Sequence, residues 1–376
     1  MDSADVVVIG AGVVGAACAY SLARAGVRVT VVDRGAVAGG TSGRGEGNLL
    51  VSDKSPGPEL TLALRSLQLW AELASTMEFE YEPKGGLVVA ATGAGLASLL
   101  ELAEEQRSSG VVVESDVDVR SYEPSLRDGL GGGAFYPQDS QVQPMLAAAR
   151  LLRAAVELGA SVRTGCEVTG IRPGSAVHTT DGEIPAAAVV NAAGTWAASV
   201  AALAGVRLPV RPRRGFILVT EPLPTGIVRH KVYAAEYVAD VASSDSDLQT
   251  SAVVESTRAG TVLIGASRER VGFDDSVPLP VLARLAAQAV DLFPVLAGAH
   301  AIRSYVGFRP YSPDHLPIIG PDPRVPGLLH ACGHEGAGVG LAPATAELVT
   351  AAITGTTPPV DPHPFRPDRF SGDIDE

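Results

Sequence analysis

The run "VVVIGAGVVGAACAYSLARAGVRVTVVDRG", Val6 to Gly35, constrains the fold more than any other stretch. No residue from Val6 to Ala23 is charged, so three readings compete: a membrane anchor, a secretion signal, or the floor of a ligand site. A secretion signal needs a basic start, and here Asp2 and Asp5 come first. A membrane span needs about twenty apolar residues, and Gly10, Gly12 and Gly15 interrupt this run. The period also changes midway. "DVVVIG" reads as a buried strand, "GAACAYSLARAG" as a helix stopping at Gly26, and "VRVTVVD" as a second strand.

Within a strand–turn–helix–strand unit, the glycines of Gly10-Ala11-Gly12-Val13-Val14-Gly15 have distinct tasks. The first makes the tight turn. The second lets backbone approach a pyrophosphate, and the third lets the helix pack close to the strand. The helix N-terminus adds partial positive charge for the phosphates. Asp33 ends the second strand where a carboxylate would take ribose hydroxyls, and it disfavours a ribose 2′-phosphate and so NADP.

The remainder fits two domains of ordinary size, or one core with a large insertion. The chain has 376 residues, 46% hydrophobic and 19% charged, enough for a sizeable core. Its net charge of −13 argues against nucleic acid or an anionic membrane surface as main partner. The three cysteines, Cys18, Cys166 and Cys332, are far apart. They form no metal-binding spacing and no disulfide framework, so neither a metal site nor an iron–sulfur cluster is expected, and a reducing cytoplasm fits.

Along the chain, residues 34–59 form a long Gly-rich polar loop, a length that is more often functional than idle beside a dinucleotide site. Helices are expected at "LTLALRSLQLWAELAS" and "AGLASLLELAEEQRSSG", with the strand "GGLVVAA" between them. A helix to Gly159, a strand, a hairpin around Asp181-Gly182 and the strand "AAVVNAAG" follow. Alternating runs such as "RGFILVT" and "GTVLIGA" within 211–308 point to a mainly antiparallel sheet, with "ASSDSDLQTSA" as a solvated loop. The tail from Thr356, Pro-rich and charged, reads as an extended or disordered arm.

Six motifs occur in order: the N-terminal unit, "GGTS" at 39–42, "GGAFYPQDSQVQP" at 132–144, "VVNAAGTW" at 189–196, "VGFRPYSPDHLPIIG" at 306–320 and "CGHEGAGVGLAPATAELV" at 332–349. Together they resemble the D-amino acid oxidase family of FAD enzymes, over Asp5 to about Gly355. The family includes glycine, sarcosine and D-amino acid oxidases and the flavoprotein subunits of opine and proline or hydroxyproline dehydrogenases. "TSGRGEGNLLVSDKSPGPEL" and "GHEGAGVGLAPATA" look most like the β subunits of the D-hydroxyproline and opine dehydrogenases.

The resemblance implies an α/β fold: a Rossmann-like, glutathione-reductase-like FAD domain and a second α+β substrate domain on a mainly antiparallel sheet. The FAD domain would comprise 1–80, 140–210 and 306–365, the substrate domain 81–139 and 211–305, and the tail 366–376. It implies FAD rather than NAD, with Gly10, Gly12, Val13, Val14, Gly15, Asp33 and Arg34 at the ADP half. Thr41, Ser42 and Asn48 would lie in the loop passing the pyrophosphate and flavin, Val168 at the adenine, and Ala192, Ala193, Gly194 and Trp196 against the cofactor. Gly333, His334, Gly336, Ala337, Gly338, Val339 and Gly340 would form the loop reaching the flavin ring. Backbone amides at the start of the following helix would stabilise a reduced, anionic flavin.

For the substrate, Arg309 in "GFRP" matches the family's carboxylate-binding arginine, against the alternative of a surface ion pair. A guanidinium suits this role because its planar fork binds a carboxylate bidentately. Arg44, His334 and Tyr233 are further candidates for the catalytic site, with Tyr237 as an alternative tyrosine; ordinary packing competes for each. No histidine precedes His178, and the surroundings of Cys332 differ from those of a flavin-linked cysteine, so the FAD is expected to be non-covalent. The resemblance implies oxidation of a small amino acid or secondary amine, such as D-hydroxyproline, proline or an opine, to an imine by hydride transfer. A dehydrogenase subunit would pass electrons to iron–sulfur or flavin/NAD-type partner subunits, and could then sit at the inner membrane through them. Two other readings stand beside it: a self-sufficient glycine, sarcosine or D-amino acid oxidase making hydrogen peroxide, and a non-catalytic electron-carrying flavin subunit.

Overall fold

A computed structural model describes residues 4–370. Two eight-stranded sheets organise it. The first has at its centre the two strands of the opening unit, Ala4–Ile9 and Val29–Asp33, paired in parallel. Ser161–Thr164 extends it on one side, and Gly182–Asn191, Leu328–Cys332 and Ile318–Pro321 on the other. All these pairings are parallel except the last. The valines of the central strands are buried because helices cover one face of the sheet and a second apolar cluster covers the other. Helix Val13–Arg24 packs against helices Pro144–Glu157 and Gly338–Thr354, and the last of these also against Pro58–Ala74.

Helix Gly338–Thr354, with the turn before it, is long and apolar enough by composition to cross a membrane. Here it is a core helix, with Leu341, Ala342, Ala344 and Leu348 buried. Pro343 lies inside it and cannot donate to the Val339 carbonyl. The Trp70 indole N–H takes over, reaching the Val339 and Gly340 carbonyl oxygens at 3.1 and 3.2 Å. A buried carbonyl is thus satisfied from a neighbouring helix.

The second sheet runs in the order Ala301–Tyr311, Arg211–Thr220, Val262–Arg268, Gln249–Ser256, Lys231–Ala234, Gly86–Ala90, Gly132–Tyr136, Glu114–Val117. It is antiparallel except where Lys231–Ala234 meets Gly86–Ala90. Helix Leu279–Leu292 buries Val281, Leu285, Ala289 and Leu292, one stripe of its surface, against this sheet.

Three expectations need correcting. The strand Ala301–Tyr311 is unbroken, so the boundary placed between 305 and 306 falls inside an element of the second sheet. The run "ASSDSDLQTSA" is only half loop: strand Gln249–Ser256 begins within it and buries Ser251 and Ala252, because pairing with Val262–Arg268 outweighs its polar composition. The tail is docked at least to Phe370. Phe365 is buried, and Arg369 bonds Asp314 at 2.7 Å and the Leu316 carbonyl at 2.8 Å. The remaining tail residues, 371–376, lie outside the described residues.

Candidate active site

One cavity of about 620 Å³ is lined from both sheets. At one end stands the glycine elbow. Gly10 has φ of +116°, and a Cβ there would sit 2.4 Å from the Ala192 carbonyl oxygen. A Cβ on Gly15 would sit 1.9 Å from the Gly10 carbonyl oxygen, so helix and strand approach to backbone contact. The Asp33 carboxylate holds the turn by accepting from the Ala11 and Gly35 amides, each at 2.7 Å. The helix begins at Gly12 without a side-chain N-cap, and Ser42 Oγ accepts from the Val13 amide at 3.0 Å. Other first-turn amides remain for an anion.

Gly10, Gly12, Val13, Val14, Asp33, Arg34, Thr41, Ser42, Asn48, Val168, Ala192, Ala193, Gly194 and Trp196 all line this cavity, as do His334, Gly336, Gly338 and Val339. Gly15, Gly333, Ala337 and Gly340 lie outside the lining. Gly15 and Gly340 support it from beneath; a Cβ on Gly340 would touch the Asn48 carbonyl oxygen at 3.4 Å. Arg34 stacks 4.7 Å over the Trp196 ring, and Phe273 lies parallel to that ring at 5.5 Å.

At the other end, Arg309 lines the cavity and donates from Nη1 to the Ser267 carbonyl at 2.8 Å. Strand Arg211–Thr220 makes room for it: a Cβ on Gly215 would fall 2.2 Å from Arg309 Nη1. Gly215 stands inside that strand, a placement that marks close approach. Among the described residues, no carboxylate lies within ion-pair distance of Arg309, nor of Arg268, buried beside it and stacked 4.9 Å from the Tyr237 ring. Burial, then the Arg268 charge, push the Arg309 pKa below its ordinary value. Arg213, opposite Arg309 in the strand register, is compensated by Glu335 at 3.4 Å. This end of the cavity therefore carries excess positive charge.

The weaker candidates separate. Arg44 lines the cavity, but it is exposed and donates to the Val306 carbonyl at 3.1 Å. Tyr233 lies outside the lining: its ring is fully buried and its hydroxyl bonds Ser52 Oγ at 2.6 Å. The chain turns from strand to helix after Ala234, and Tyr237, on the helix, is the tyrosine at the cavity. His334 contributes to the wall, yet its ring Nε2 is bonded to Thr345 Oγ1 at 3.0 Å.

Burial pushes His334 down to about 3, so its ring is neutral in the folded protein over the working range. Unfolded, it takes a proton below about 6.5, so the unfolded state binds more protons between those values and stability falls with acidification. Urea unfolding of the wild type and of His334→Asn should reflect this: from pH 8 to pH 5 the wild type should lose about 2 kcal/mol more than the variant. Parallel pH dependence of the two would refute the neutral, buried assignment.

Glu46 is the residue the sequence reading missed. It lies in "TSGRGEGN", lines the cavity, and its side chain is 8% exposed.

Residues 5–352 match the family model for FAD-dependent oxidoreductases of the DAO type. The chain belongs to that family. It is 31% identical to glycine oxidase of Pseudomonas putida, over 97% of this chain and 99% of the relative. It is 32% identical to hydrogen cyanide synthase subunit HcnC of Pseudomonas aeruginosa, over 97% of this chain and 96% of the relative. The crystal structure of glycine oxidase from Geobacillus kaustophilus superposes with a TM-score of 0.90 at 29% identity, covering 99% of this chain and all of that one. L-proline dehydrogenase from P. horikoshii shares the fold, with a TM-score of 0.90 at 24% identity over 98% of each chain.

FAD is this family's cofactor, and the site fits it. The glycine elbow and the uncapped helix start suit a pyrophosphate, and Asp33 keeps acceptor capacity for ribose hydroxyls. The cavity continues past Gly336 and Gly338, beside the start of helix Gly338–Thr354, where a ring system would lie against backbone rather than side chains.

Proposed function

We propose that this flavoprotein oxidises a small amino acid or secondary amine with a free carboxylate to the imine. The observation that carries this reading is Arg309, a guanidinium without an acidic partner in the cavity that also holds the dinucleotide elbow. A half-buried guanidinium without a counter-charge is costly, and a bidentate carboxylate offsets that cost. FAD, when bound, supplies the hydride acceptor. The protein's part is orientation. Arg309 grips the carboxylate and so sets the α carbon against the flavin, while Ile217 and Tyr237 wall the site and exclude water.

Cyclic or secondary amines such as proline or hydroxyproline, or opines, are our favoured substrates, and the likeness to a proline dehydrogenase fold is compatible with them. Glycine is the alternative, favoured by two relatives at about the same identity that are named glycine oxidases. A dehydrogenase subunit passing electrons to partner subunits is our reading for the acceptor, and one relative is named as a subunit. Three free, buried cysteines are compatible with a cytoplasmic setting.

The FAD is held without a covalent bond in this reading. Burial pushes the Cys332 thiol up to about 12, which suppresses the thiolate that attachment needs, and His334 is bonded away to Thr345. Acid precipitation should leave the yellow colour in the supernatant; colour in the pellet would refute it. Anaerobic bleaching of the flavin across glycine, sarcosine, opines and both enantiomers of alanine, proline and hydroxyproline tests the activity. No bleaching by any of them would sink the proposal, and peroxide formed by the isolated chain in air would assign it as an oxidase.

A further inference from the structure

The cavity carries charge of both signs. Glu46 Oε2 accepts from Asn48 Nδ2 at 2.8 Å and lies 3.5 Å from Lys231 Nζ. Its other oxygen, Oε1, is buried and has no hydrogen-bond partner. The strand beneath makes room for that atom: a Cβ on Gly265 would fall 2.5 Å from it. Lys231 is shared, with Glu255 Oε2 at 3.9 Å, so it does not neutralise Glu46 alone. A buried carboxylate oxygen with no donor calls for a ligand that brings one. Glu46 lies within electrostatic range of Arg309, where it favours the charged guanidinium, yet the two form no ion pair.

We propose that Glu46 receives the ammonium of the substrate, opposite the Arg309 guanidinium that receives its carboxylate. A positive and a negative side chain held apart across one cavity match a zwitterion, in which the ammonium and carboxylate are one carbon apart. The pair rejects simple carboxylic acids, which leave Oε1 without a donor, and simple amines, which leave Arg309 without an anion. This inference rests on the amino-acid reading above and adds the residue that distinguishes an amino acid from an acid of the same shape.

Matched ligand pairs test it on the FAD-loaded protein. L-proline and cyclopentanecarboxylate differ only at the amine, as do glycine and acetate. Binding is read from the fast flavin absorbance change that precedes any bleaching. Glu46→Gln should weaken L-proline and glycine by about tenfold or more and leave cyclopentanecarboxylate and acetate within about twofold. Glu46→Asp, which keeps the charge, should recover part of the loss. Arg309→Ala should weaken both members of each pair. Equal losses for both members in Glu46→Gln, or none, would overturn the assignment while leaving the amino-acid reading intact. If no member of either pair perturbs the wild-type spectrum, the amino-acid reading itself fails, and this inference with it.

Discussion

Replacing Arg309 by alanine should cost about 3 kcal/mol in substrate binding or turnover, a loss of roughly a hundredfold or more. The guanidinium lies against the Gly336 backbone, where a Cβ would lie 3.7 Å from Arg309 Nε, so its loss would leave a carboxylate bound there without a bidentate partner. Arg309→Lys should fall between the two, because an ammonium keeps the charge and loses the fork. The same truncation should not lower the urea midpoint of the ligand-free protein. Arg309 is half-buried beside the buried Arg268, so removing it relieves desolvation and repulsion that offset the lost Ser267 bond. Steady-state kinetics with any substrate that bleaches the flavin would check the first claim. Unchanged kcat/KM would remove Arg309 from the site.

Gly15→Ala is the second large effect. An alanine in the middle of a helix is ordinarily worth about 1 kcal/mol over glycine. Here the added methyl meets the Gly10 carbonyl oxygen at 1.9 Å and its carbon at 3.0 Å, both backbone atoms that belong to the turn. We expect a net destabilisation of about 3 kcal/mol or more, with FAD lost on purification, because strand and helix can separate only by opening the pyrophosphate elbow. Gly93→Ala is the control: it opens helix Gly93–Ser108 and a Cβ there meets nothing within 4 Å. Urea midpoints and the ratio of flavin to protein absorbance should separate the two variants. A Gly15→Ala protein that stays yellow and stable would refute the close-packed elbow.

What the sequence made legible follows the range of the interactions involved. The elbow is local: glycine spacing, strand and helix periods and Asp33 all lie between Val6 and Asp33, and the structure assembles them as read. Arg309 was legible through the motif around it. Glu46 was not, because it lies in a long Gly-rich polar loop with no apolar period, and its burial comes from Gly265, far along the chain. Tyr233 and Tyr237 could not be told apart, since the change from strand to helix between them has no glycine or proline to mark it. His334 lies in the loop at the cavity wall, and the turn of its ring toward Thr345 depends on packing against helix Gly338–Thr354, which follows it. The docking of the tail rests on Phe365 and Arg369, two anchors hidden in proline-rich composition.

One carbonyl ties the halves of the site together. Thr41, beside the elbow, and Thr195, after Gly194, both donate their hydroxyls to the Phe308 oxygen at 2.7 Å, the residue immediately before Arg309. Any breathing of one sheet against the other must therefore drag the arginine along with the walls that cradle the cofactor. In the proposed reaction, this shared acceptor would keep the arginine that anchors the substrate in step with the threonines beside the cofactor.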